Sequence, residues 1–145
     1  MNLDEIYDLF IWDASYSEEY AAREARGIAE ASKLRNLYPF IQPIVLPPDK
    51  SKSVWEPCAK VIAMRSDEEL QPYLHLLFKW LQDLNWPGAE IIFDRLAKMP
   101  LARIVDALVF AKHSALRNDD TGWMRVLEEF EKASINTGLS AKRIP

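Results

Sequence analysis

Few residues in this chain are of a type and spacing that could carry chemistry. Its two histidines, His75 and His113, stand in no HExxH spacing and in no close arrangement with the cysteine. They therefore form no zinc-type ligand set in sequence and read as ordinary structural or surface histidines. The carboxylates Asp83, Glu90 and Asp94 are the candidates for acid–base work, since two carboxyl groups flanking a glycosidic bond can cleave it. Glu90 and Asp94 lie four residues apart on one helix face that Lys98 continues, the pattern of a solvated face. Asp83 has a second use, accepting backbone N–H groups in the turn behind it. No nucleophile, base and orienter accompany them, so no catalytic residue is assigned. Cys58 falls on an apolar helical face with Trp55 and Ile62, the setting of a small buried hydrophobe rather than a nucleophile. The glycines are scattered and make no phosphate loop, and no metal or cofactor is expected.

Residues suited to recognition are better represented. The chain has five tryptophans. Trp55 and Trp123 fall on apolar faces and read as core, and Trp80 as half-buried. Trp86 sits at a turn, where it either plugs the end of a helical hairpin or serves as an aromatic anchor for a partner. The candidate partner-binding set is Trp86, Asp83, Asn85, Glu90 and Asp94. The net charge of −4 disfavours nucleic acid, and Lys50 with Lys52 is too little for a basic patch. The longest apolar runs fall far short of the ~20 residues that cross a bilayer. The start, MNLDEIYDLFIWDAS, has no basic n-region. The single cysteine excludes an internal disulfide and fits a reduced compartment, so a cytoplasmic protein with an unidentified protein partner is expected.

The elements that position these residues are helices. Asn2 with Glu5 caps a short first helix carrying Leu3, Ile6, Tyr7 and Phe10. Ser15 with Glu18 starts a longer one, Tyr16 to Asn36, with Tyr20, Ala21, Ala25, Ile28 and Ala31 inward and Gly27 marking a close contact. Residues 38–50 hold four prolines, which forbid a helix or a central strand. Phe40, Ile41, Ile44, Val45 and Leu46 between them imply a docked, extended connection with one turn of helix. Ser53 with Glu56 caps a helix to Arg65, and Ser66 with Glu69 caps the next, which Pro72 either joins in its first turn or restarts. Asn85-Trp86-Pro87-Gly88 is a tight turn, with Pro87 suited to the first position of the following helix and Trp86 near its cap. Pro100 opens a helix with Ile104, Val105, Leu108, Ala111 and Ala115 inward. Thr121 caps a last helix that stops near Gly138. This predicts an all-α protein: a single helical domain over 1–136, a loose tail over 137–145, and about six or seven antiparallel helices. The units of roughly 35 residues fit a short helical repeat stack, with an irregular bundle as the alternative.

Trp80-Leu81-Gln82-Asp83-Leu84-Asn85-Trp86-Pro87-Gly88-Ala89 resembles the WLQD-x-NWP-x-A core of a small uncharacterised bacterial family. Asn36-Leu37-Tyr38-Pro39-Phe40-Ile41-Gln42-Pro43 and the Trp55-Glu56-x-Cys58-Ala59-Lys60 string look like its longer members, so the resemblance spans Asp4 to Leu96. It implies a HEAT-like or armadillo-like fold and no established activity. By analogy of fold it implies an interaction module, including the antidotes of secreted bacterial toxins. Two other functions stay open: a small enzyme or ligand binder using Asp83, Glu90 or His113 in an inter-helical pocket, and a structural homo-oligomer.

Overall fold

A computed structural model describes residues 1–11, 17–42 and 54–143, with the side chains of 17–18 and 136–143 left aside. The α-helices are α1 (Leu3–Phe10), α2 (Ser17–Ala31), α3 (Trp55–Ala63), α4 (Asp67–Leu70), α5 (Leu74–Trp80), α6 (Ala89–Ala97), α7 (Leu101–Arg117) and α8 (Thr121–Arg143). Short 3-10 turns occupy Tyr38–Phe40 and Gln71–Tyr73. With α4, its 3-10 turn and α5 taken as one interrupted helix, the described residues hold seven helices and no strand.

The helix starts follow local chemistry. Asn2 Oδ1 accepts the Glu5 amide at 2.9 Å. Ser66 and Glu69 form a reciprocal capping box, in which each side chain satisfies an amide that the first helical turn leaves free. Pro72 has no N–H to give, so the helix tightens to 3-10 geometry at Gln71–Tyr73 and restarts at Leu74. The Ser15–Glu18 and Ser53–Glu56 boxes lie outside the described residues, as do Ile44, Val45 and Leu46 of the proline segment. The described part of that segment makes one 3-10 turn, with Phe40 and Ile41 fully buried.

α3, α6 and α8 touch in series, α7 packs on both α5 and α8, α5 also touches α6, and α1 and α2 pack together with α2 against α3. The short Asn118–Asp120 link folds α7 back antiparallel on α8, so the whole is a stack of antiparallel helices. One core runs through it. Phe130 takes the rings of Phe78 and Phe93 edge-on at 5.1 Å and 5.3 Å, and the Trp123 indole N–H donates to the Phe78 carbonyl at 3.2 Å. At Gly27 a β-carbon would meet Phe10 Cε1 at 2.5 Å, so the close approach there is between α2 and α1.

Several expectations are corrected. α2 ends at Ala31 rather than Asn36, because the Arg65 guanidinium takes up the carbonyls of Ala31 and Leu34 at 3.0 Å and 2.7 Å and closes the helix there. Ala21 and Ala25 are exposed, since α2 turns Gly27, Ile28 and Ala31 inward instead. Val105 is exposed too, and with Leu101, Val109 and Leu116 it gives α7 a second, outward apolar stripe. Asp120, not Thr121, caps α8, accepting the Trp123 amide at 3.0 Å. α8 continues to Arg143, because one glycine in a helix costs only about 1 kcal/mol relative to alanine and does not stop it. No described helix is long and apolar enough to cross a membrane.

Candidate functional site

The turn between α5 and α6 is built by its own side chains. Asp83 Oδ1 accepts the Asn85 amide at 2.8 Å, and its carbonyl accepts the Trp86 amide at 3.0 Å. This is an Asx-type turn, in which a short carboxylate stands in for backbone. Gly88 follows with φ +84°, a left-handed conformation that glycine adopts without a steric penalty. It caps α6, and its carbonyl accepts the Ile92 amide. Pro87 therefore precedes the helix by two residues instead of opening it. The reason lies in packing: a β-carbon at Gly88 would stand 2.7 Å from Ala59 Cβ and 3.0 Å from the Trp55 carbonyl oxygen. The turn is pressed onto the start of α3, and only glycine fits that gap.

Two tryptophans hold it there. Trp80 is fully buried rather than half-buried, and its indole N–H donates to the Pro87 carbonyl at 3.0 Å. Trp86 is half-buried and meets the Trp55 ring edge-on, with centroids 5.8 Å apart. Trp86 thus plugs the hairpin end and still presents surface.

That surface is one wall of an open depression of about 310 Å3, lined by Glu56, Leu84, Asn85, Trp86, Glu90 and Ile91 beside Gly88. A smaller hollow of about 130 Å3 continues it across Leu84, Glu90, Phe93 and Asp94. Four of the five residues singled out in the sequence, Trp86, Asn85, Glu90 and Asp94, are brought together along this groove. Asp83 lines neither part, being engaged in the turn. Sequence reasoning missed Glu56, which arrives from the first turn of α3. No local signal marks it, because it joins the depression only through the contact of α3 with α6.

Neither hollow is lined by a lysine or an arginine. The carboxylates of Glu56, Glu90 and Asp94 make no ion pair or hydrogen bond among the described residues. Glu56 does act through space: the Tyr20 hydroxyl is pushed up to about 12 by burial first, by Glu24 next and then by Glu56. Each of Glu56 and Glu90 lies in the first turn of its helix, where the macrodipole favours an anion. A helix N-terminus amounts to roughly +0.5 charge, so the two together do not cancel the carboxylates and the depression keeps a negative field.

Other candidates disperse. His75 and His113 are exposed, on α5 and α7, and neither lines the groove. Cys58 is buried, and burial pushes its thiol up to about 12 while the adjoining Gln42 amide pulls the other way. No group of three metal-ligating side chains occurs among the described residues. A further hollow of about 260 Å3 at the α7–α8 link mixes charges of both signs, from Asp119 and Glu128 to Arg125.

A family model described as a domain of unknown function (DUF5071) matches residues 46–142. The match takes in Trp55–Lys60 and Trp80–Ala89 and begins after the Asn36–Pro43 string. It reaches beyond Leu96 through most of α8. No curated protein and no solved structure matches.

Proposed function

We propose that this chain, which belongs to the DUF5071 family, is a non-catalytic protein-binding module that grips its partner with the groove at the α5–α6 turn. The carrying observation is the depression itself, where Trp86, Asn85, Glu56 and Glu90 meet on an open surface braced by Trp55, Gly88 and Trp80. A half-buried tryptophan on a rigid turn is the kind of residue that dominates protein interfaces. Its ordering cost is met by the fold before a partner arrives. The stack of packed helices supports a HEAT-like scaffold, a fold whose surfaces serve binding. The narrower reading is an immunity-type inhibitor of a bacterial toxin, acting in the cytoplasm, where the lone cysteine stays reduced.

A small enzyme or ligand binder is the competing reading. In its favour, the depression lies at the lower end of the roughly 300–1,000 Å3 range of ligand pockets. Against it, Asp83 is engaged by the Asn85 amide and His113 lies on α7 away from the groove.

The test is co-expression with the product of the adjacent gene. A 1:1 complex on sizing chromatography that blocks that product's activity, and that Trp86→Ala abolishes while helical content is kept, supports the proposal. A complex indifferent to Trp86→Ala removes the groove from it, and turnover of a small substrate by the isolated chain would sink it.

A further inference from the structure

Resting on that reading, we infer that the groove receives an arginine side chain of the partner. The depression has the three parts a guanidinium uses. Trp86 offers an aromatic surface, and tryptophan is the strongest of the aromatic side chains in attracting a cation. Glu56 and Glu90 offer carboxylates from two separate helices, which the planar fork of arginine can engage with paired hydrogen bonds. Leu84 and Ile91 offer apolar wall for the aliphatic stem.

Charge complementarity singles out this occupant. At several other places on the described surface an acidic side chain holds a cation of the same chain: Glu24 holds Lys60, Asp67 holds Arg95, Glu68 holds Arg103, Glu69 holds Arg65 and Glu131 holds Lys112. Around the groove, Glu56, Glu90 and Asp94 hold none, and no basic side chain lines it. These are the arrangements that make a cation welcome and a second anion unwelcome. Arginine is preferred to lysine, because an ammonium is a compact, strongly hydrated point charge that neither stacks nor forks.

The experiment titrates the full chain with N-acetyl-arginine amide and follows the indole N–H resonances. The lysine compound and the neutral citrulline compound are run alongside. The expected result is saturable binding with an affinity on the order of 1 mM, centred on the Trp86 indole and weakened by salt. Lysine should bind more weakly and citrulline not at all. The double variant Glu56→Gln, Glu90→Gln should weaken binding at least about tenfold with an unchanged fold, both side chains being exposed. Equal binding of citrulline, an unmoved Trp86 signal, or indifference to the double variant overturns the inference. A partner complex lost in Trp86→Ala but kept in the double variant would refute the arginine while leaving the binding module standing. A complex kept in both would refute the groove as a whole.

Discussion

The two ends of α6 treat charge in opposite ways. At its C-terminal end, Arg95 donates to the Arg65 carbonyl at 2.7 Å and to Asp67 at 2.8 Å. Arg65 in turn closes α2 and bonds Glu69 at 2.8 Å, and that partner holds the Glu69 carboxyl below its usual range. Arg103 bonds Glu68 at 2.9 Å, and its carbonyl accepts from Gln71. Each guanidinium there ties one helix to another. At the N-terminal end of α6, apolar packing does the tying, through Gly88 against Ala59 and Trp86 against Trp55, and the carboxylates beside it are left without partners. Charges that hold the fold together are consumed by it, and charges that do not are available to something else. That difference separates scaffold from surface.

The sharpest way to break the comparison is at Gly88. Gly88→Ala meets the left-handed φ and the 2.7 Å approach to Ala59 together. Backbone strain and overpacking sum to a loss of about 2–5 kcal/mol, read from the urea midpoint. A loss below about 0.5 kcal/mol would show that the turn is not pressed onto α3. Next comes Arg65→Ala, which strands the Leu34 carbonyl, leaves the Ala31 carbonyl with the Leu34 amide alone, and should cost about 1–3 kcal/mol with fraying at the end of α2. Unchanged amide exchange over residues 28–34 would remove Arg65 from the scaffold.

Alkaline titration probes the packing of α2 and α3. Cys58 and Tyr20 are both pushed up to about 12 by burial, above ordinary values of 9.0 and 10.0. The folded state therefore binds more protons than the unfolded state in this window. The contribution of these two groups to stability is full below about pH 9 and is lost as pH rises toward 12. Cys58→Ala should flatten the lower part of that decline, and Cys58 should resist alkylation at pH 8 until the chain is unfolded. Rapid native alkylation would contradict its burial.

The smallest effects decide the electrostatic half. Asp67→Asn removes a partner that Arg95 needs and should cost about 1 kcal/mol. Glu90→Gln and Glu56→Gln trade a helix-dipole gain of about 0.3–1 kcal/mol against relief of repulsion, for a net change within about 0.5 kcal/mol. If Glu90→Gln costs more than Asp67→Asn, the groove carboxylates belong to the scaffold after all.

By itself, the sequence determined what depends on near neighbours. Helical periodicity, the Ser66–Glu69 box, the Asx turn at Asp83 and the break at Pro72 each involve residues within one or two turns, so their hydrogen bonds and steric limits are legible in local order. The all-α class followed from these, as did four of the five residues singled out for recognition, because Asn85, Trp86, Glu90 and Asp94 lie within one turn and the helix that follows it. Tertiary structure alone decided what depends on distant parts of the chain. It buried Trp80, turned Ala21, Ala25 and Val105 outward, and shortened α2 by lending its carbonyls the Arg65 guanidinium. It moved the cap of α6 from the Trp86–Pro87 pair to Gly88, since only the missing side chain clears Ala59. It also brought Glu56 and Glu90 to the same depression. No periodicity or spacing could report that meeting, because it exists only where α3 and α6 are packed together.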